Sequence, residues 1–228
     1  MLDISYGFEK TKKLLSIVKL LTIIDHHVSV EKSTKLAHRY IYDIKYSGAV
    51  LAWKYFHPHH KIPALLKYIE DIDIWKLTLP HTRELMASLE TYGLDFSLWN
   101  KIVRDWDNIR KRKKYLEEGV AILKYQKSLV DSAIKDAEEV RFLGKRALAV
   151  NNTLKLNSDI GEEIRKKGYH LGIIWQKMGD KIVVSLRSTD KVDSSKIASR
   201  FGGGGHKKAA AFRLPMNIKF PWKRIKKS

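Results

Sequence analysis

The sequence predicts an α/β protein in three parts: an N-terminally shortened parallel-sheet domain over residues 1–105, a connector helix over 106–138, and a smaller mixed α/β domain over 139–228. Three observations carry that prediction. Leu20-Leu21-Thr22-Ile23-Ile24 is continuously apolar, the pattern of a parallel strand buried on both faces. Residues 103–137 stay helical and charged. Beyond residue 139 short strand-like runs alternate with turn residues such as Gly144 and Gly179-Asp180.

Each element follows in order. Phe8, Leu14, Leu15 and Val18 recur at helical spacing, so residues 8–19 read as a helix. The apolar run at 20–24 ends in Asp25-His26-His27. Parallel strands are joined by crossovers, so a helix feeding this strand implies an earlier one ending near Met1-Leu2, and the chain is expected to begin inside a fold. Ser47-Gly48 precedes an apolar helix over 49–56, and His57-Pro58-His59-His60 forms a loop. Pro63 opens a helix that ends in Tyr68-Ile69-Glu70-Asp71-Ile72-Asp73-Ile74-Trp75. Further helices are expected over 82–91 and after Asp95-Phe96-Ser97. In the last domain, 140–142 and 146–150 form a hairpin turned at Gly144, and Ser158 caps a helix running to Lys167. A second hairpin joins 170–176 to 181–187, and Asp193 or Ser194 caps a short helix.

Composition bounds the partners. The formal net charge is +19, which favours polyanions such as nucleic acid, nucleotides or acidic surfaces; a lysine-rich background is the bland alternative. Two clusters exceed scatter: residues 110–114, and a tail with Lys223, Arg224, Lys226 and Lys227. Cysteine is absent, which excludes disulfides and thiolate metal sites. No apolar run approaches the roughly 20 residues of a membrane span, and the opening MLDISYGFEK is no signal peptide. A cytoplasmic location without membrane contact is the expectation.

Two stretches carry chemistry. Residues 201–212, FGGGGHKKAAAF, combine four glycines with His206, Lys207 and Lys208. Successive N–H groups in such a turn can nest an anion, and alanines opening a helix would add positive partial charge; a flexible glycine loop is the alternative. The second stretch is Asp25-His26-His27. Aspartate with neutral imidazole suits Mn²⁺ or Mg²⁺, imidazole favouring Mn²⁺; a chance tripeptide is the alternative. The histidines at 57–60 read better as a solvated turn than as ligands, and Trp99 and Trp106 better as packing than as base-stacking aromatics.

In one order, the chain shows DHH at a strand end, the acidic stretch EDIDIW and a C-terminal GGGH-x-x-A-A segment. That order resembles the DHH phosphoesterase superfamily with its DHH-associated C-terminal domain, over nearly the whole chain. Members include RecJ-like exonucleases, oligoribonucleases and cyclic-dinucleotide phosphodiesterases. The phrases at 47–53, 68–75 and 185–188 look closest to the bacterial-type branch. The resemblance implies a hydrolase in which divalent ions, Mn²⁺ first and Mg²⁺ second, clamp a phosphate. It places Asp3, His26, Asp71 and, as a close second, Asp73 as metal ligands, His27 near the substrate phosphate, and Asp25 as its catalytic support. It assigns the nucleotide part to Arg187, Gly203, Gly204, Gly205 and His206. The implied partner is a nucleotide or short single-stranded nucleic acid, and a homodimer stays open. Two departures stand out: the family's first motif, an Asp-x-Asp on the opening strand, has no counterpart, and Ala211 replaces a usual glycine. The expected function is metal-dependent phosphoester hydrolysis of nucleotides or short oligonucleotides by a shortened chain. The alternatives are a relative that binds nucleic acid without hydrolysis and a remnant that contacts another protein.

Overall fold

A computed structural model describes residues 1–225, so Lys226 and Lys227 of the basic tail lie outside the described residues. The chain divides into two compact units, Met1–Leu123 and Lys124–Ser228.

The first unit is organised around a short parallel sheet. Helix α1 (Phe8–Leu15) feeds β1 (Thr22–Asp25), which pairs in parallel with β2 (Arg39–Tyr42) in the register Thr22↔Arg39 to Asp25↔Tyr42. Leu2 adds a single parallel bridge to Ile24. The strand expected to end near Met1-Leu2 is therefore present as that bridge. Ile23 and Ile24 are fully buried, as the apolar run requires, but Leu20 is largely exposed and the strand starts at Thr22. Between His27 and β2 lie a 3-10 turn (Val28–Val30) and α2 (Glu31–Thr34); neither these nor β2 shows in the sequence pattern, because each is short.

Helices complete this unit. Ser47 caps α3 (Gly48–Phe56) by accepting the Val50 N–H. Pro63 precedes α4 (Ala64–Asp73). This helix stops at Asp73, not at Trp75, because Trp75 and Leu77 turn left-handed at φ 57° and 51°. The Asp71 carbonyl accepts the N–H groups of both Lys76 and Leu77 there. Helix α5 (Thr82–Leu89) and α6 (Phe96–Trp106), the latter capped by Asp95, pack Leu65, Leu85, Leu89, Ile102, Trp106 and Tyr115 into one core. Trp106 is 1% exposed and edge-on to Tyr68, which settles it as a packing residue. Trp99 packs partly buried on the same core.

Helix α7 (Ile109–Lys135) begins after a break at Asp107-Asn108, where the Asn108 side chain accepts the N–H groups of Arg110 and Lys111. Three of its early cations meet carboxylates: Lys111 with Asp105, Lys113 with Glu117 and Lys114 with Glu118. Among the described residues, no helix is long and apolar enough to cross a membrane.

The second unit is a seven-stranded sheet covered by helices. Strands β3 (Glu138–Phe142), β4 (Lys145–Asn151), β5 (Leu171–Met178), β6 (Lys181–Ser188), β7 (Gly204–Gly205), β8 (Ala209–Pro215) and β9 (Trp222–Arg224) lie in the order β7-β8-β6-β5-β4-β3-β9. All pairs are antiparallel except β4 with β5, which the crossover helix α8 (Asn157–Lys166) joins in parallel. Both expected hairpins form, turned at Leu143-Gly144 and Gly179-Asp180. Two expectations fail. Ser158 lies inside α8, whose N-cap position is Leu156. The alanines after His206 open β8, not a helix, because Ala210 and Phe212 alternate inward on the sheet. Asp193 caps α9 (Ser194–Ser199) by accepting from Ser195 and Lys196. Val140, Phe142, Ile173, Val184, Leu186 and Phe212 form the core against α9; Val130, Leu148, Val150, Ile160, Ile164 and Ile174 form the other.

Candidate metal centre

Strand β1 delivers its last residue, Asp25, into the interior at 0% exposure. One Asp25 oxygen accepts the N–H of His26 at 2.7 Å, the N–H of His27 at 2.9 Å and the His27 Nδ1–H at 2.8 Å. The other accepts the Ser5 hydroxyl. Burial alone would raise this carboxyl, but the His27 N–H, the Ser5 hydroxyl, the His27 ring and the His26 N–H together hold it below its usual range. An ionised Asp25 accepts only, so His27 Nδ1 carries a proton toward it.

His26 turns the other way. Its ring is nearly buried, and its Nε2 has no hydrogen-bond partner of acceptable geometry. Two carboxylate oxygens flank that atom, Asp3 Oδ1 at 3.2 Å and Asp73 Oδ2 at 3.4 Å. Asp3 Oδ1 also lies 3.8 Å from His27 Nδ1. Among the described residues, Asp3, His26 and His27 form the one group of three or more such side chains whose candidate ligand atoms all lie within 4.8 Å of one another; the histidines at 57–60 form none. An orphaned imidazole nitrogen between two carboxylates is the donor set of a hard or borderline divalent ion. The residues present therefore fit a metal.

Asp3 is held there at a conformational cost. Its φ of 56° is left-handed, a region β-substituted residues avoid. Its N–H donates to Ile24 carbonyl at 2.8 Å. Burial, partly offset by His26, raises its carboxyl above the usual range. Gly48 makes the room: a Cβ at that position would lie 2.2 Å from the Asp3 carboxyl carbon. The amide of Ser47, next to Gly48, donates to Glu70 Oε2 at 3.2 Å, which ties α3 to α4.

The structure separates the two acidic residues that the EDIDIW stretch offers. Asp73, at the end of α4, reaches His26. Asp71 is placed elsewhere: its carboxylate is buried and accepts from the Thr78 N–H and hydroxyl, the Leu79 N–H and the Thr82 hydroxyl. Burial opposes ionisation, yet those bonds, the Thr82 hydroxyl foremost, hold Asp71 below its ordinary range. All four of its bonds organise the turn from α4 to α5. Of the two aspartates, Asp73 and not Asp71 lies beside His26. Gly48 and Ser5 escaped sequence reasoning; a glycine directly after a helix cap was the available signal for the first.

The residues assigned to the nucleotide lie in the second unit. Arg187 on β6 donates to the Leu186 carbonyl at 3.1 Å and reaches Ser158 Oγ at 3.5 Å. It lies flat against Gly161 of α8, where a Cβ would meet its side chain at 2.6 Å. Burial, with Arg165 nearby, lowers the affinity of its guanidinium for its proton. Arg187 is in register with Ala209, which closes a turn with His206 through bonds of 2.7 and 3.2 Å. The glycines do a different job from the expected anion nest. The N–H groups of Gly202, Gly203 and His206 donate to Ser199, Ala198 and Ala209 carbonyls. Gly203 permits close packing, since a Cβ there would lie 2.1 Å from the Ala211 carbonyl oxygen.

Fold and site together define a class: an α/β protein with an aspartate–histidine cluster at the C-terminal end of a parallel strand, followed by a separate mixed-sheet unit. Residues 152–222 match the DHHA1 domain. The chain is 30% identical over 223 residues to Uncharacterized protein R106 of Acanthamoeba polyphaga mimivirus, and spans about half, 51%, of that relative's length. It is similar in fold to the pGpG-specific phosphodiesterase PggH of Vibrio cholerae, at TM-score 0.52 and 11% identity over 93% of this chain and 84% of that one. It also resembles the DHH domain of a member of the s1p family of ribosomal proteins, at TM-score 0.57 and 14% identity over 89% of this chain and 62% of that one. The family match covers residues 152–222, and over the rest of the chain the likeness is one of fold.

Proposed function

We propose that this chain carries the active centre of a divalent-metal-dependent phosphodiesterase that acts on nucleotides or short oligonucleotides. The observation that carries this reading is the buried, unpartnered His26 Nε2 between the carboxylates of Asp3 and Asp73. These three residues hold the ion, Mn²⁺ before Mg²⁺ because imidazole takes part. A divalent ion bound there supplies Lewis-acid polarisation of a phosphoryl oxygen and acidifies water. Asp25 fixes the His27 ring so that Nε2 meets the substrate phosphate. Arg187 and the His206 side chain, next to Gly204 and Gly205, take the nucleotide part, with Gly203 holding the turn by packing.

The test is hydrolysis of a linear dinucleotide by the full chain with Mn²⁺, Mg²⁺ or EDTA. Turnover with Mn²⁺ that His26→Ala abolishes supports the reading. Turnover that survives His26→Ala, or that persists in EDTA, overturns it. The net charge of +19 favours a second reading, nucleic-acid binding without hydrolysis; affinity that falls steeply with salt, without turnover, is its signature.

A further inference from the structure

The second unit holds a recess of about 230 Å³ away from the residues assigned above. Lys145 at the start of β4, Lys191 in the loop before α9, and Lys196 and Arg200 of α9 ring it. Its one carboxylate, Asp193, is already spent on the Ser195 and Lys196 N–H groups and the Ser195 hydroxyl. Elsewhere in this unit Arg146 pairs with Glu139, Lys166 with Glu163, Lys208 with Asp190 and Arg224 with Glu138, whereas among the described residues no such partner reaches the recess. Lys145, Lys191, Lys196 and Arg200 make no ion pair among the described residues. Four cations therefore surround one committed carboxylate, which favours an anion.

The floor is apolar. Val192 and Ile197 are buried there, and Leu143 projects from the β3–β4 turn. Leu143 and Gly144 both take left-handed φ, 49° and 77°. Such turns favour Asn-Gly, so a leucine at the first position is a strained choice that adds an apolar wall. Apolar floor and cationic rim together suit a sugar–base unit with phosphates on either side. The recess takes one nucleotide, not a folded surface. Of its lining residues, Arg200 directly precedes the glycine stretch in the sequence.

We propose that this recess is a phosphate-backbone subsite for single-stranded nucleic acid, holding a nucleotide other than the one taken by Arg187 and His206. It rests on reading the chain as one that acts on oligonucleotides, and it makes longer substrates bind better than dinucleotides.

The test is calorimetric binding of a two-nucleotide and a six-nucleotide single-stranded RNA to the full chain in EDTA, so that absence of hydrolysis cannot affect the result. The variant is Lys145→Gln with Arg200→Gln; Lys191→Gln serves if that pair fails to fold, as judged by circular dichroism. Hexanucleotide affinity is expected to fall about tenfold and its salt slope to shrink by about 1.4, at roughly 0.7 per phosphate contact for single strands. Dinucleotide affinity is expected to stay unchanged. Unchanged hexanucleotide affinity, or an equal loss at both lengths, overturns the proposal. So does hexaglutamate binding as tightly as the hexanucleotide, because that assigns the recess to acidic peptide.

Discussion

Gly48 lies against Asp3 so closely that a Cβ on residue 48 would sit 2.2 Å from the Asp3 carboxyl carbon. The first residue of α3 is thus glycine because a site carboxylate occupies the space. Gly48→Ala is expected to displace Asp3 and lower Mn²⁺ affinity and dinucleotide turnover by about 10²-fold, the scale of a misplacement near 1 Å. Calorimetric Mn²⁺ titration checks it; wild-type affinity in a folded variant would remove Asp3 from the site.

Asp71 and Asp73 are two residues apart and should fail in opposite ways. Asp73→Asn is expected to abolish Mn²⁺ binding with little change in stability, because its carboxylate is half-exposed beside His26. Asp71→Asn is expected to destabilise the protein by about 1–3 kcal/mol, the scale for disrupting a buried hydrogen-bonding group, while metal binding persists. Denaturant titration and Mn²⁺ calorimetry on both variants separate the roles. The reverse pattern would return Asp71 to the metal.

Acid should weaken this fold through the same residue. Folded Asp71 titrates below its ordinary value. Its stabilisation is therefore fully present above the unfolded value near ~4 and is lost as pH falls through the folded value. Urea unfolding at pH 7 and pH 3 is expected to show a larger loss in the native protein than in Asp71→Asn. Equal losses would mean that Asp71 does not titrate as its hydrogen bonds imply.

Metal binding should stabilise the folded state by mass action. At Mn²⁺ one hundred times above the dissociation constant, about 2.7 kcal/mol is expected. A thermal melt reads it as a raised Tm that EDTA reverses. His26→Ala should melt at one temperature with or without Mn²⁺; a Tm that still rises would place the ion elsewhere.

Gly203 reports on the second unit alone. A Cβ there would lie 2.1 Å from the Ala211 carbonyl oxygen, against backbone that cannot swing aside. Gly203→Ala is expected to cost about 1–3 kcal/mol, the range for overpacking, and to leave Mn²⁺ binding intact. A wild-type melting curve would show that the β7–β8 edge yields freely.

The sequence by itself determined the buried strand at Ile23-Ile24, the Asp25-His26-His27 at its end, both C-terminal hairpins and the helices that follow Ser47, Asp95 and Asp193. These depend on local rules: apolar runs, turn residues and capping side chains act within a few positions. Strand β2 and the 3-10 turn after His27 escaped because such short pieces lack a period to read. Tertiary structure alone decided which member of EDIDIW meets His26, since Asp71 and Asp73 are chemically equal and differ only in what folds around them. It also decided that the glycines at 202–203 serve packing, because their N–H partners come from α9. It decided why Gly48 is glycine: the atom that excludes a Cβ belongs to Asp3, 45 positions earlier in the chain.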